Sequence, residues 1–425
     1  MTGGDETRFR RAQWRFLLCS IVAYAFCYVT RKNLSMAQPG MLEEGVISTY
    51  ALGTIMTVHG VLYGLSRFVN GFWADRLNGR VFMSVGLLLS AVMNFLFGCS
   101  SLTLFFAAFW ILNGWTQGMG FPPCAKMLAH WIHPKDLATK MSIWNTSHSF
   151  GAFFALGLCS LLLAFGLGWR WCFWVPAVCA GLAAVFTFLC VKESPEEAGL
   201  PPLKIENEQT AAHETITTAD RRRLVFGNKV IWVVAIANFF VYVVRFGFLD
   251  WGPTFLKQHK GIPVEKGGLM IIAFELAAVA GTVCAGWLTD RLFKGRGART
   301  CVIFMFLAAT FAFGFHLLPD GASSAWATLL LMGTGFFIYG PQGLTGIIAA
   351  NQATKDAAAM ANGFTGIMGY ASTIVSGLGI ALIKERFGWD VTLAAIAGFA
   401  LVGMALFALA WNASADGYLK RRQEP

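Results

Sequence analysis

Long apolar runs alternate with short polar breaks along almost the whole chain. Twelve stretches carry the pattern of a membrane-spanning helix: residues 16–38, 50–74, 81–99, 102–125, 139–165, 169–191, 230–256, 266–290, 300–318, 325–350, 357–383 and 389–412. Each approaches the roughly 20 apolar residues that a helix needs to cross a hydrocarbon core about 30 Å thick. The longest polar break, Lys192 to Lys229, contains Pro195, Pro201 and Pro202 in a charged, apolar-poor run and predicts a linker. The expected fold is an all-α membrane protein of twelve transmembrane helices. They fall into two pseudo-symmetric six-helix halves, residues 1–191 and 230–425, joined by the linker 192–229.

The halves repeat each other. Gly71-Phe-Trp-Ala-Asp75-Arg76 recurs as Gly286-Trp-Leu-Thr-Asp290-Arg291, 215 residues later. Arg31 and Arg245, each at the end of a long apolar run, are 214 residues apart and so share that register. Gly120-Phe-Pro122 has a looser echo in Gly340-Pro341, offset by 220. Tandem halves related by an axis along the membrane normal, with a site between them at the midplane, are a common transporter arrangement.

Composition narrows the class. Hydrophobic residues make up 56% of the chain and charged residues only 13%, against about 25% charged in soluble domains. The mean hydropathy is +0.57. A net charge of +10 could suggest a nucleic-acid partner, but the cations stand beside the spans. Arg8, Arg10, Arg11 and Arg15 precede the first; Arg80, Lys126, Lys135, Lys140, Arg221, Arg222, Arg223, Lys294, Arg296, Arg299, Lys420, Arg421 and Arg422 flank others. The loop after the first span carries Glu43 and Glu44 and no Lys or Arg before Arg67. The positive-inside rule then places both termini and the linker in the cytoplasm. The basic start followed by residues 16–30 could pass for a signal peptide, but cleavage would discard the helix of Arg31 that the repeat requires.

No nucleotide-binding loop, metal-ligand cluster or nucleophile–base pairing stands out, so neither an enzyme nor a cofactor or metal is implied. The ten cysteines include no CxxC pair, which leaves disulfide and zinc readings without support. Asn412-Ala-Ser414 matches a glycosylation sequon but falls at the cytoplasmic end of the last span, where it has no meaning.

The chemistry lies in the two deep arginines. Each follows about fifteen nearly uncharged residues, which at ~1.5 Å per residue carries it roughly 22 Å into the span. A guanidinium at that depth costs several kcal/mol unless it faces protein or water and meets a counter-charge. Two at equivalent depth point to a site for a dianion. Tyr24 and Tyr28 share a helix face with Arg31, at spacings that add phenol donors to the stripe. Tyr242 precedes Arg245 by three residues. The alternative for Arg31 and its neighbour Lys32 is snorkelling to the outer interface, which runs against the charge pattern and leaves the repeat at Arg245 unexplained.

The paired Gly-x-x-x-Asp-Arg loops resemble the signature of the major facilitator superfamily. Arg31-Lys32-Asn33, Trp144-Asn-Thr-Ser-His148, Tyr242-Val-Val-Arg245-Phe-Gly-Phe-Leu-Asp250-Trp251 and Gly363-Phe-Thr-Gly-Ile-Met-Gly-Tyr370 look like the organophosphate:phosphate antiporters within it. The resemblance runs through essentially all twelve spans. It implies that Arg31 and Arg245 clamp a phosphate group and that Tyr63, Tyr339 and Tyr370 line the cavity. It also implies that His148 lies by the substrate, on a stripe with Trp144; a core packing role is the alternative for this histidine. At Arg67 family members commonly carry lysine, so a planar fork here could alter specificity or serve a structural ion pair. Lys32 could pair with Asp250 and Arg245 with Glu275 when the site is empty. In the signature loops, Gly71 and Gly286 are expected to allow close helix contact, and Asp75 and Asp290 to pair with neighbouring arginines such as Arg76 and Arg291.

The resemblance implies a secondary antiporter of the bacterial inner membrane that exchanges glycerol 3-phosphate or a hexose 6-phosphate for inorganic phosphate. Its partners are then the phosphorylated substrate, phosphate and the lipid bilayer, with no nucleic acid, and the chain acts as a monomer. The alternative is a membrane sensor that detects an external sugar phosphate and signals to a histidine kinase. A proton-coupled carrier of an uncharged or cationic solute is disfavoured by the two arginines.

Overall fold

The computed structural model describes residues 3–132, 140–141, 143–201, 218–319, 323–353 and 357–413, and every regular element among them is a helix. The first six spans are α1 (Gly3–Glu43), α2 (Thr49–Arg76), α3 (Gly79–Cys99), α4 (Thr103–Gln117, resumed as Phe121–Trp131), α5 (Ile143–Ala164) and α6 (Trp171–Cys190). The next four are α7 (Lys229–Lys260), α8 (Val264–Arg291), α9 (Gly297–His316) and α10 (Ser324–Gln352). α11 starts as Ala358–Ala371 and passes through a π-helical turn, Ile374–Gly379. The helix Ile380–Leu409 that follows breaks at Gly388 (φ 79°, ψ −179°); residues before the break complete α11, and residues 389–409 form α12.

Local chemistry sets several of these ends. Asn78 and Asn228 each fold a side-chain oxygen back onto the first turn of α3 and α7, accepting from Val81 N at 3.2 Å and Val230 N at 2.9 Å. Gly261 closes α7 in the left-handed conformation that glycine adopts without strain (φ 64°). α4 breaks at 118–120 and restarts with Pro122 and Pro123 in its first turn, where a missing N–H costs nothing.

Among the described residues eight helical stretches are long and apolar enough to cross a membrane, one of them covering both α11 and α12. α2, α4 and α10 fall outside that set: α2 carries His59 and Arg67, α4 is in two pieces, and α10 is rich in glycine and threonine. Large apolar side chains such as Leu88, Leu182, Val283 and Trp287 stand exposed on the spans. In water such surface would be a liability; against lipid it is the expected exterior.

The chain forms two compact units, residues 1–47 with 58–211, and residues 48–57 with 212–425. In the first, α3 packs on α6, and α1 on α5 and α6; in the second, α10 packs on α8 and α9, and the helices after the π turn pack on α7 and α9. Residues 48–57 belong to the second unit through Thr57, whose hydroxyl donates to Thr373 O at 2.9 Å and accepts from Leu378 N at 2.8 Å.

Helices that nearly touch along their backbones shape the second unit. A Cβ on Gly281 of α8 would lie 1.8 Å from Phe336 O of α10, and one on Gly335 of α10 would lie 2.3 Å from Phe274 O of α8. Small residues at reciprocal positions are how membrane helices gain contact without a hydrophobic driving force.

Within the expected linker, Thr218–Phe226 is helical and buries Val225 in a cluster with Ile231 and Ala349. Two expectations are corrected. α1 begins near Gly3, well before residue 16, because the basic N-terminal residues continue the helix. The close helix contact expected at Gly71 and Gly286 is absent, since a Cβ on either would meet no atom within 4 Å. The side chains of Asp75 and Arg221, and residues Lys135, Ser414, Lys420, Arg421 and Arg422, lie outside what the structure describes.

The α8–α10 contact makes Gly281→Val a test of this packing. Over-packing of this kind costs about 1–3 kcal/mol even where neighbours can shift, and here the obstacle is backbone. The variant is expected to lose several degrees of thermal midpoint in detergent; an unchanged midpoint would contradict the described contact.

Candidate functional site

In the first unit Arg31 emerges from α1 into a frame of aromatic rings. Its guanidinium carbon is 4.6 Å from the Tyr28 ring centroid and 4.2 Å from that of Tyr63 on α2. Tyr63 also faces Arg67, at 6.0 Å, and Arg67 lies over Phe121 of α4 at 4.1 Å. Two guanidiniums therefore flank one phenol. Packing against the rings restrains both guanidiniums.

Along α1, Tyr24 and Tyr28 build two rungs with α5. Tyr24 packs on Trp144 at 4.7 Å, and Tyr28 meets His148 edge-on at 5.9 Å. Gly151 permits this approach, because a Cβ there would lie 2.2 Å from Ala25 O. Trp144 is fully buried between Tyr24 and Phe121, and its Nε1 meets no hydrogen-bond partner among the described residues. His148 is half-buried and shares a 3.1 Å hydrogen bond with Ser149 through Nδ1. The structure thus makes Trp144 a wall behind Tyr24 and leaves His148 nearer the open side.

Behind Arg31 lies a buried polar network. Arg31 donates to Gln117 Oε1 from Nη2 at 2.9 Å and from Nε at 3.3 Å. Gln117 Nε2 donates onward to Thr30 Oγ1 at 2.9 Å and Ser90 Oγ at 2.8 Å. Ser90 reaches Asn113, Asn113 and Asn94 both donate to Thr30 O, and Asn33 donates to Asn94. Gly114 and Gly118 bring α4 against His59 and Ser66 of α2, and this sets Gln117 at the right height. Lys32 is buried beside Arg31 on α1.

In the second unit Arg245 of α7 is buried, with Tyr339 of α10 at 4.6 Å, Phe246 at 5.5 Å and Tyr242 at 5.7 Å from its guanidinium carbon. Tyr339 donates a hydrogen bond to Glu275 of α8. The reciprocal glycine contacts fall next to these residues, Phe274 preceding Glu275 and Phe336 lying one turn before Tyr339, so backbone proximity sets that bond. Glu275 and Arg245 therefore meet around one phenol. Arg245 Nε has no hydrogen-bond partner among the described residues, which leaves part of its donor fork open. Tyr370 of α11 packs on Tyr242 at 6.1 Å. Asp250 is half-buried, about one turn beyond Arg245 on α7.

Near the first signature loop the structure shows contacts that the sequence did not suggest. In the first unit Lys126 of α4 donates to Ala74 O and Leu77 O at the end of α2 and pairs with Glu193 at 2.7 Å. Arg80 pairs with Glu197 at 3.2 Å. Arg76 is exposed; Asp290 and Arg291 end α8 exposed, with no ion pair among the described residues, so the expected Asp290–arginine pair is not formed.

The profile of the Major Facilitator Superfamily matches residues 20–377. A glycerol-3-phosphate transporter of Bacillus subtilis is 34% identical over 421 residues, covering 96% of this chain and 94% of the relative. The chain belongs to the major facilitator superfamily, in its organophosphate:phosphate antiporter group. A probable hexose phosphate transport protein of Chlamydia trachomatis is 31% identical over 98% of this chain and 94% of its own. A membrane sensor protein of Salmonella typhimurium is 32% identical over 98% and 96%. Among solved structures, a bacterial homolog to the human lysosomal transporter Spinster, inward-facing and unoccupied, superposes with a TM-score of 0.82 over 95% of this chain and 97% of that one. At 14% identity this likeness speaks to the fold alone.

Charge is distributed unequally in this facilitator. The first six spans contain Arg31, Lys32 and Arg67 but no Asp or Glu between Glu44 and Asp75, between Asp75 and Asp136, or between Asp136 and Glu193. The second six supply Asp250 and Glu275.

Sequence reading missed Gln117 and its network, because a glutamine in an apolar run carries no motif. Its spacing from Gly114 and Gly118 was the available signal. Gln117→Leu removes the acceptor for Arg31 and the donors for Thr30 and Ser90. Leaving buried polar groups unmatched costs about 1–3 kcal/mol, so the variant should unfold at a lower temperature in detergent than wild type; an equal midpoint would show that the network does not hold Arg31.

Proposed function

We propose that this facilitator is a secondary antiporter that exchanges a small organophosphate for inorganic phosphate by alternating access. The observation that carries the reading is the repeated cluster: a guanidinium ringed by tyrosines in each half, 214 residues apart in sequence. Arg31 and Arg245 bind the phosphate group as planar forks, Arg67 and Lys32 raise the local positive charge, and the tyrosine hydroxyls supply further donors. The names of the relatives support a phosphorylated substrate, with glycerol 3-phosphate first and hexose 6-phosphates close behind. The protein works as a monomer in the bacterial inner membrane with both termini cytoplasmic.

Charge gives the mechanism. Two guanidiniums facing a dianion approximate local neutrality, whereas an empty cavity leaves them to the tyrosines, to Gln117 and to the carboxylates. Enclosing unneutralised cations in a low-dielectric cavity is unfavourable. A loaded carrier therefore changes orientation more readily than an empty one, and exchange follows from two solute gradients without ATP.

The sensor reading draws on the relative of that name, and both readings keep the same site. Uptake of labelled phosphate into phosphate-loaded proteoliposomes, competed by glycerol 3-phosphate, hexose 6-phosphates and phosphoglycerate, separates them. Robust uptake supports the carrier; binding without uptake supports the sensor.

Two variants test the roles. Arg31→Lys and Arg245→Lys should each reduce exchange by two orders of magnitude or so while the protein still inserts, since lysine keeps the charge but loses the fork. Near-normal affinity and turnover in either would end the clamp assignment. His148→Gln keeps a donor but cannot charge. It should bind substrate more weakly than wild type near pH 6, with the gap closing towards about pH 8, because an imidazole as a class can carry a proton in that range and an amide cannot. Parallel pH profiles would make His148 a packing residue.

A further inference from the structure

Phe9, Gln13 and Phe16 hold the N-terminal turns of α1 to the bundle. Trp131 of α4 stacks on Phe16 at 5.1 Å with the rings 8° from parallel, and meets Phe9 at 6.3 Å. Between these two, Gln13 donates to Trp131 O at 2.6 Å and accepts from Lys140 Nζ at 2.5 Å. Phe9, Gln13 and Phe16 form one face, so the extension is a docked helix.

Its opposite face is open and basic. Arg10, Arg11, Trp14, Arg15 and Leu18 border a concavity of about 580 Å³, and all five are exposed. Lys140 sits 4.8 Å from the Trp14 ring and adds a fourth cation at its edge. Further along the same face, Leu18 and Val22 are exposed where the helix enters its apolar run. The stripe that meets lipid tails thus continues, without turning, into arginines. At ~1.5 Å per residue Arg15 and Arg11 stand roughly 4.5 and 10 Å above Leu18, the depth of the headgroup layer. Trp14 sits at the boundary, where indoles favour the interface.

We infer that this face is a binding site for the headgroup of an anionic phospholipid. Arginine forks take the phosphodiester oxygens, Trp14 covers the glycerol backbone, and the acyl chains run down along Leu18 and Val22. The occupant is a lipid and not a free anion because the concavity opens onto the lipid-facing stripe. This site is separate from the arginine–tyrosine clusters and does not depend on the substrate proposed for them.

The test uses the full-length protein purified in detergent and exposed to equimolar phosphatidylglycerol and phosphatidylcholine, with retained lipid read by native mass spectrometry. Wild type should retain phosphatidylglycerol with a preference of roughly tenfold. R10Q/R11Q/R15Q should fall towards parity, while R10K/R11K/R15K, which keeps the charge and the insertion signal, should retain most of the preference. In vesicles, the Trp14 fluorescence, taken as wild type minus W14F, should be quenched more by phosphatidylglycerol with brominated acyl chains than by phosphatidylcholine so labelled. An undiminished preference in the glutamine variant, or equal quenching by the two lipids, overturns the site. Displacement of phosphatidylglycerol by millimolar inorganic phosphate would assign the face to a free anion and overturn it as well.

Discussion

A guanidinium inside a bilayer must be satisfied by something, and most of what surrounds Arg31 and Arg245 answers that requirement. Water is scarce at that depth and lipid offers no acceptor, so the protein supplies aromatic faces and a few oxygens. Around Arg31 these are Tyr28, Tyr63 and Gln117. Around Arg245 they are Tyr242, Tyr339 and, through Tyr339, Glu275. Both solutions restrain the cations, and the proposed substrate would bring negative charge to them.

Holding such groups in place needs helices closer than large side chains allow. Gly151 lets α1 and α5 bring Tyr28 to His148, Gly114 and Gly118 bring Gln117 to Arg31, and Gly281 with Gly335 brings Glu275 to Tyr339. The polar network from Asn33 to Gln117 then fixes the side of α1 that carries Arg31. The halves share a plan but differ in detail: one holds its arginine with an amide, the other with a phenol and a carboxylate. That difference matches the uneven distribution of acidic residues between the two sets of spans.

The twelve spans were legible because hydropathy and the bilayer's thickness leave little freedom, and Arg31 and Arg245 stood out because charge is rare there. The tyrosines could be named from helical spacing and family resemblance. Contacts between helices were not legible. Gln117 looks like any polar residue in a span until α4 is set against α1, and Arg67 meets Arg31 across the Tyr63 ring. The signature glycines misled for the same reason: Gly71 and Gly286 have room beside them, while the tight contacts sit at glycines that belong to no motif. Helix ends also escaped the hydropathy pattern at α1, whose basic extension is held by Trp131 and not by apolar content.

The central claim is that the substrate's own negative charge completes the arginine clusters and permits the carrier to turn over. Efflux of labelled phosphate from proteoliposomes, with and without an external counter-anion, tests it most directly. The account predicts rapid efflux when phosphate or a phosphate ester is present outside, and efflux slower by about two orders of magnitude into anion-free medium, where the empty clusters would have to be enclosed uncompensated. Equal efflux in the two media would contradict it.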